Sequence, residues 1–464
     1  MTLRRNALFS VAEVLLNGLG LFFIYKNVVS TLGVSLLGVW SLVLATTAFG
    51  RLADVGISAG LARFVAREQA KGEAGSPQSY IETGMLSVAA IMGVLTLLAY
   101  WPIYFALGIA LHDQQLALAR EIIPYALLTF WLLNINAVTA AALLGLHRAD
   151  LRSISNICGM LVQVAASLAL VKGFQLKGLA WAQTAQYVVA IGLSWTFVVR
   201  VGRTVPVLPT HFQRGLFKEL LGFGTKLQVG TIANLLFEPT TKIIIGHIAG
   251  TAVLGLYELA YRMVYQVRGI AITALQNLVP AFANLKETDP AALGVLFRKT
   301  CRMAALVGAP IMAAVIAGAP LVSLIWIGTY NSDFTRLAAL LSLCWAVNIL
   351  AAPAYFLGMG TGEVNVSVGG QVVTGVLSPA LGLGLGLAFG AYGAVCGVVV
   401  GKIIGDLAPA YANRPSRDLR SSALLYPPNM LALAFVGLVS ATALYLAPSL
   451  GGIFGGLKRL ATGS

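Results

Sequence analysis

Four charges in the stretch "LLFEPTTKIIIGHIAGTAVLGLYELAYR", Leu235 to Arg262, are the residues best spaced to do chemistry. Glu238 and Lys242 stand one helical turn apart, as do Glu258 and Arg262, in the acid-before-base order that favours an i, i+4 pair. Counting from Gly250, Lys242 lies eight residues before and Glu258 eight after, while Glu238 lies twelve before and Arg262 twelve after. If the chain turns back at Gly250, two antiparallel helices bring opposite charges level twice, in one network roughly 12 to 18 Å from the turn. An ionised side chain facing lipid at the bilayer midplane costs about 3 kcal/mol even on insertion scales, so such a network belongs in a bundle interior or a wet cavity. There a cation holds an anionic group, and a carboxylate exchanges a proton or a sodium ion. The alternative is that this span, roughly 50 Å long by helical rise, simply stands in water at its outer end.

Other charges fall inside apolar runs, most without an obvious local partner: Arg268, Lys226, Arg51, Glu13 with Asn17 one turn later, and Lys402 with Asp406. A cation such as Arg268, deep in a helix with no local acid, suits an anionic substrate group such as a phosphate, or else caps a helix end or pairs with Glu13. Glu13 is a proton or sodium site, or a helix contact with Asn17. Cys158, Cys301, Cys344 and Cys396 follow no disulfide or metal spacing, and His112, His147, His211 and His247 lack a second ligand at helical spacing. No metal, cofactor or catalytic constellation is expected. "LGLGLGL", with Gly382, Gly384 and Gly386, reads as close helix packing, not as a phosphate loop, because no strand precedes it.

The elements that carry these residues are membrane helices. With 58% hydrophobic and 10% charged residues, the 464-residue chain has too few charges to coat a soluble domain. Apolar runs long enough to span fall at 7–28, 34–56, 80–108, 119–145, 152–172, 178–200, 218–249, 252–283, 299–327, 336–358, 364–389 and 392–412, with a thirteenth at 429–447. The first follows Arg4 and Arg5 without a small-x-small cleavage site and is kept as a span. The net charge of +14 sorts by side of the membrane. Arg63, Arg67, Lys71, Arg148, Arg152, Arg200, Arg203, Arg214, Lys218, Lys286, Arg298, Lys299, Arg302, Arg414, Arg417 and Arg420 fall in alternate connections, against Lys26, Arg120, Lys172, Lys177 and Arg336 in the others. The positive-inside rule then makes the amino terminus cytoplasmic and argues against a nucleic-acid partner. Past the thirteenth span, "PSLGGIFGGLKRL" is too short for an ordinary crossing.

The chain also repeats itself. "LGVSLLGVWSL" (Leu32 to Leu42) matches "AGTAVLGLYEL" (Ala249 to Leu259) at an offset of 217, superposing Gly38 on Gly255 and Trp40 on Tyr257. "WLLN" at Trp131 matches "WAVN" at Trp345 at 214, and "KGLA" matches "YGAV" from Gly178 to Gly393 at 215. Six spans intervene, so the copies share one orientation and are related by an axis along the membrane normal. The expected fold is all-α: two six-helix lobes around a central cavity, related by a pseudo-two-fold, plus at least one further carboxy-terminal helix. The expected parts are residues 1–200, a cytoplasmic linker at 201–217, residues 218–412, and a final segment at 413–464.

The run "LGVSLLGVWSLVLATTAFGRLADVGISAGLARFVARE", with Gly38, Trp40, Asp54, Gly56 and Arg63, resembles the start of the polysaccharide-transporter (Wzx-type) flippases. "KIIIGHIAGTAVLGLYELAYRMVYQVRGIAITALQNLVPAFANL", with Gly255, Tyr257 and Pro280, is similar to that family's seventh and eighth spans. Relatives often place an acid directly before the base of the seventh span; here Thr241 holds that place and Glu238 lies a turn earlier. The resemblance implies the multidrug, oligosaccharidyl-lipid and polysaccharide exporter superfamily, a bacterial inner-membrane location and a non-enzymatic task. That task is to move a polyprenyl-diphosphate-linked oligosaccharide to the outer leaflet, driven by H+ or Na+, among membrane lipids and polysaccharide-assembly proteins. On this reading Arg268, Arg262, Lys242 and Arg51 are candidate substrate ligands, and Glu13, Glu238 and Glu258 candidate ion-coupling residues. A cation-coupled multidrug exporter on the same fold is the alternative.

Overall fold

Hydrocarbon offers the backbone no hydrogen-bond partner, so an apolar run of about 20 residues satisfies itself as a helix. The computed structural model describes residues 2–48, 57–71, 76–202, 205–276, 278–411 and 427–462, with side chains apart from those of 2–8, 10–11, 59, 224–236, 280, 364, 408–411 and 451–462. Its helices are α1 (Thr2–Ala48), α2 (Ile57–Ala70), α3 (Pro77–Ala110), α4 (Asp113–Gly145), α5 (Ala149–Gly202), α6 (Arg214–Gln276), α7 (Val279–Thr288), α8 (Pro290–Met303), α9 (Ala309–Ile327), α10 (Ser332–Thr361), α11 (Val364–Tyr411) and α12 (Pro427–Thr462). A π turn, Ala304–Gly308, makes α8 and α9 one continuous span. Among the described residues there is no strand.

Nine stretches are long and apolar enough to cross a membrane among the described residues. Four of them are broken once by non-helical backbone, at Gly33 in α1, Gln175 in α5, Gly250 in α6 and Gly390 in α11. Nine stretches with four breaks make thirteen segments, one on each of the thirteen apolar runs of the sequence, of which residues 49–56, 277 and 412 lie outside the described residues. The φ of 76° at Gly250 lies in the left-handed region that a side chain disfavours, which is why the turn falls on a glycine. The last helix runs unbroken to Thr462, so "PSLGGIFGGLKRL" lengthens the thirteenth segment and forms no fourteenth crossing.

The chain divides into two compact units, one of Met1–Leu32 and Leu42–Leu235, the other of Gly33–Ser41 and Leu236–Ser464. In the first, a core of Leu61, Phe64, Val65, Tyr80, Ile81, Leu143 and Leu220 joins α2, α3 and α4 to the start of α6. The connection before α6 is tied to α3: Glu82, 1% exposed, accepts the backbone N–H groups of Thr210 and His211 at 3.0 and 3.1 Å. Beside it, Tyr80 donates to Glu219 at 2.5 Å and stacks on Phe64.

In the second unit the two arms of α11 fold back at Gly390 and meet along glycines. A Cβ on Gly393, Gly397, Gly401 or Gly405 would overlap Leu385, Leu381, Ser378 or Thr374 of the facing arm. These four glycines recur every fourth residue, one stripe of a helix, and let the backbones approach more closely than any side chain permits. The repeated motif shows the same packing: a Cβ on Gly38 would overlap the Thr251 carbonyl, and one on Gly255 the Val34 carbonyl. Since 255 minus 38 and 251 minus 34 are both 217, the two copies of the motif exchange roles in one contact, as a local two-fold requires.

Candidate functional site

The arms of α6 fold back at Gly250 and bring the four charges together. Lys242 Nζ lies 2.6 Å from Glu238 and 2.8 Å from Glu258. Arg262 donates to Glu258 through Nε at 2.7 Å and reaches Glu238 at 3.4 Å. Ser41 donates its hydroxyl to Glu258 at 2.8 Å and Tyr261 its hydroxyl to Glu238 at 3.4 Å. The side chains of Lys242 and Glu258 are each 2% exposed, so their mutual pairing replaces solvation that neither has. Two acids and two bases make the quartet neutral. It is a saturated network, and its cations are committed to its own carboxylates.

One face of the second arm carries Tyr257, Tyr261 and Tyr265, four residues apart and stacked at 5.9 and 5.4 Å between ring centres. The ladder leads from the quartet to a second cluster. Arg268 donates Nε to Asn348 Oδ1 at 2.7 Å, and its Cζ lies 4.5 Å from the Trp345 ring centre and 5.4 Å from that of Tyr265. Lys402, on the second arm of α11, shares the same indole at 4.8 Å and contacts Phe237 at 5.2 Å. It pairs with Asp406 at 3.0 Å. Indole is the best of the aromatic faces for a cation, and a desolvated contact of this kind is worth about 2 kcal/mol. Of Lys242, Arg262, Arg268 and Lys402, Arg268 alone has no carboxylate within ion-pair reach among the described residues. The Trp345 indole N–H, buried, has no hydrogen-bond partner among them either. The cluster therefore presents a guanidinium fork without a counter-charge and a free donor beside it, a combination suited to an oxyanion.

Glu13 lies in the other unit, where Arg152 reaches it at 3.1 Å and Asn156 donates to it at 2.7 Å. These partners come from α5, not from Asn17 one turn away. Arg51 lies outside the described residues, and Lys226 is among the side chains left undescribed. Ser41, Tyr261, Trp345 and Asn348 were not among the candidates read from the sequence. Offset 217 puts Ser41 opposite Glu258, and offset 214 puts Trp345 and Asn348 opposite Trp131 and Asn134. Among the described residues the earlier copies bond to backbone: the Trp131 indole to Ala89 O and Asn134 to Phe130 O. The signal was thus divergence within the repeat, where a structural pair in one half faces a cation in the other.

A family model described as "Polysaccharide biosynthesis protein" matches residues 31–333. The chain belongs to that family. The match covers both copies of the repeated motif and the whole charge quartet. A search of curated proteins finds no significant match. Among solved structures, this polysaccharide-family chain is similar to an inward-facing multidrug resistance MATE family transporter of the MOP superfamily, at 15% identity and a TM-score of 0.71 over 90% of this chain and 95% of that one. It is also similar to the lipid II flippase MurJ in an inward closed conformation, at 12% identity and a TM-score of 0.65 over 96% and 98%. A MOP superfamily transporter from Pyrococcus furiosus, described as having a binding pocket of reversed polarity, aligns at 16% identity and a TM-score of 0.53 over 94% of both. At these identities the likeness establishes the fold. The family protein is thus an all-helical, multi-pass membrane protein with the MOP superfamily transporter fold, as its sequence resemblance implied.

Proposed function

We propose that the protein flips a polyprenyl-diphosphate-linked oligosaccharide across a bacterial inner membrane, by alternating access between an amino-terminal and a carboxy-terminal lobe and with an ion gradient as the energy source. The observation that carries the reading is Arg268, a cation on an aromatic bed with an amide partner and no carboxylate among the described residues. A cation in an apolar helix bundle is costly without a counter-charge, and a transported anion supplies one during each cycle. The guanidinium takes the diphosphate in a forked geometry. Tyr265 and Trp345 offer flat apolar edges to sugar, and the polyprenyl tail stays in lipid. Membership of a polysaccharide biosynthesis family supports a glycan cargo over a cationic drug, and a cationic drug would be repelled by Arg268. Lys242 and Arg262, held by Glu238 and Glu258, contribute to the field around the site and take a direct part only if the quartet opens.

The test is a binding measurement on the purified full chain with a short-chain polyprenyl diphosphate and the matching uncharged polyprenol. The diphosphate is expected to bind and the alcohol not, and Arg268→Ala to weaken the diphosphate by about tenfold or more, the worth of a charge-assisted fork. Equal affinity for the two lipids, or an Arg268→Ala variant that binds the diphosphate as tightly as the parent, rejects the assignment.

A further inference from the structure

Of the four breaks inside the described membrane helices, three fall on glycine, at Gly33, Gly250 and Gly390. The fourth falls on Gln175, at φ 52° and ψ −130°. Offset 215, the register that sets Gly178 opposite Gly393, also sets Gln175 opposite Gly390, which stands at φ 67° and ψ −147°. Both lie close to the first central position of a type II′ turn, where glycine is preferred because a Cβ is strained. The fold thus makes one turn twice, once freely and once against a side chain. A strained residue kept where its repeat partner has relaxed points to a side chain that is used. Fastening the hairpin is not that use. In the second copy Tyr392 ties the turn to the start of α10, donating to Asp333 at 2.6 Å and accepting from Arg336 at 3.4 Å, with glycine at the break. Lys177, opposite Tyr392 in the repeat, makes the equivalent tie by pairing with Glu121 of α4.

Gln175 lines a cleft of about 230 Å³ between the α5 turn and α4, together with Leu118, Ile122, Phe174 and the Glu121–Lys177 pair. At roughly 30 Å³ per water this is the room of about eight waters, enough for one small ring and not for a peptide or a lipid chain. Phe174 is half exposed and packs on Trp181 at 4.9 Å between ring centres. Among the described residues the Gln175 amide makes no hydrogen bond, and Glu121 is engaged only through Oε1, by Lys177. The cleft therefore offers an amide donor and acceptor, a carboxylate oxygen, ammonium N–H groups and one aromatic face. Its acid and base compensate each other, so a phosphate or an ammonium ligand gains little from either. A hydroxyl, donor and acceptor at once, matches the mixed polar set. A face of C–H groups matches the electron-rich face of the phenyl ring. A sugar ring carries both features and no charge.

We propose that this cleft is a binding site for one uncharged sugar unit of a glycan, with Phe174 under the ring and Gln175, Glu121 and Lys177 on its hydroxyls. Lys172 and Lys177 belong to the connections that the positive-inside reading places outside, so the site meets a glycan on the side to which it is delivered. Membership of a polysaccharide biosynthesis family supports a glycan as the source of the sugar. The inference does not depend on the diphosphate reading of Arg268, which lies in the other unit.

The test places the full chain in nanodiscs free of glycolipid and titrates methyl glycosides of glucose, galactose, mannose and N-acetylglucosamine by saturation-transfer NMR. At least one should bind the parent. Gln175→Gly and Phe174→Ala should each weaken it by about tenfold, on the order of one well-made contact. Gln175→Gly should also unfold at the same temperature as the parent or higher, because glycine relieves the turn. A purely structural glutamine would instead lower that temperature. A hexyl glycoside that binds more tightly than the methyl one marks a lipid-carried sugar, and equal affinity marks a unit of a free glycan; both support the site. No binding by any of the four glycosides overturns the inference, as does binding unchanged in Gln175→Gly, or a Gln175→Gly variant less stable than the parent. A chain that binds glycosides but no polyprenyl diphosphate loses the Arg268 reading and keeps this one; the reverse result does the opposite.

Discussion

Replacing Glu258 by Gln separates a buried charge network from a merely crowded one. The carboxylate accepts 2.7 to 2.8 Å bonds from Arg262, Lys242 and Ser41 and is 2% exposed. The amide keeps the volume but offers one acceptor oxygen, so it retains at most one of the two cationic bonds and turns an N–H donor toward the other cation. Hydrogen bonds to charged groups contribute about 1.5 to 3 kcal/mol each. Breaking a buried pair from one side costs about 3 to 5 kcal/mol, because the stranded charge stays in the interior. Glu238 partly offsets this, being 2.6 Å from Lys242 and 3.4 Å from Arg262, so a loss of about 3 kcal/mol is expected for Glu258→Gln. Adding Lys242→Met removes the stranded ammonium and leaves Glu238 with Arg262, one acid and one base. The double variant should therefore recover about 2 kcal/mol relative to Glu258→Gln alone. Thermal unfolding of the detergent-solubilised protein, followed by loss of the monodisperse peak, measures both differences. If the two substitutions simply add, or the double variant is the least stable, the quartet is not an electrostatic unit and the argument fails.

Three further outcomes follow from single contacts. Gly397→Ala should sharply reduce the yield of folded protein, because its Cβ overlaps Leu381 across the α11 hairpin, whereas Gly384→Ala, with nothing within 4 Å, should leave it unchanged; size-exclusion yield of the two variants decides. Gly255→Ala should behave like Gly397→Ala, since its Cβ meets the Val34 carbonyl, and Gly250→Ala should cost about 1 kcal/mol through its positive φ alone. Glu68, outside the membrane spans, is held below the ordinary carboxylate value of 4.5 by its hydrogen bond from Lys71. A lowered folded value means stability present above pH about 4.5 and lost as the pH falls through the folded value. The stability difference between the parent and Glu68→Gln should accordingly be constant at neutral pH and vanish in acid.

The fold was legible because two signals in the sequence are physical constraints. The length of an apolar run is set by the bilayer, and a positive-φ glycine between two such runs marks where the chain turns, as at Gly33, Gly250 and Gly390. Gln175 breaks α5 with φ 52°, so composition alone does not reveal that turn; the charges of Lys172 and Lys177 flanking it do. The quartet was legible for a related reason. Once Gly250 is a turn, equal counts on either side fix which residues face each other. Contacts between distant helices carry no such arithmetic: nothing local in the sequence of α10 says that Asn348 meets Arg268, or that Trp345 supports two cations. Nor does helical spacing separate a carboxylate held by three donors, such as Glu258, from one held by a single ammonium, such as Asp406, since each carries its base four residues on or before.

Lipid translocation in proteoliposomes tests the central claim most directly. Vesicles containing the full chain and a labelled polyprenyl-diphosphate oligosaccharide are treated with an impermeant enzyme that modifies only exposed sugar, and the rate at which protected label becomes exposed is recorded. The account predicts exchange well above protein-free vesicles, slowed by about tenfold or more in Arg268→Ala. Exchange no faster than in protein-free vesicles, with a cationic dye moved instead, contradicts it.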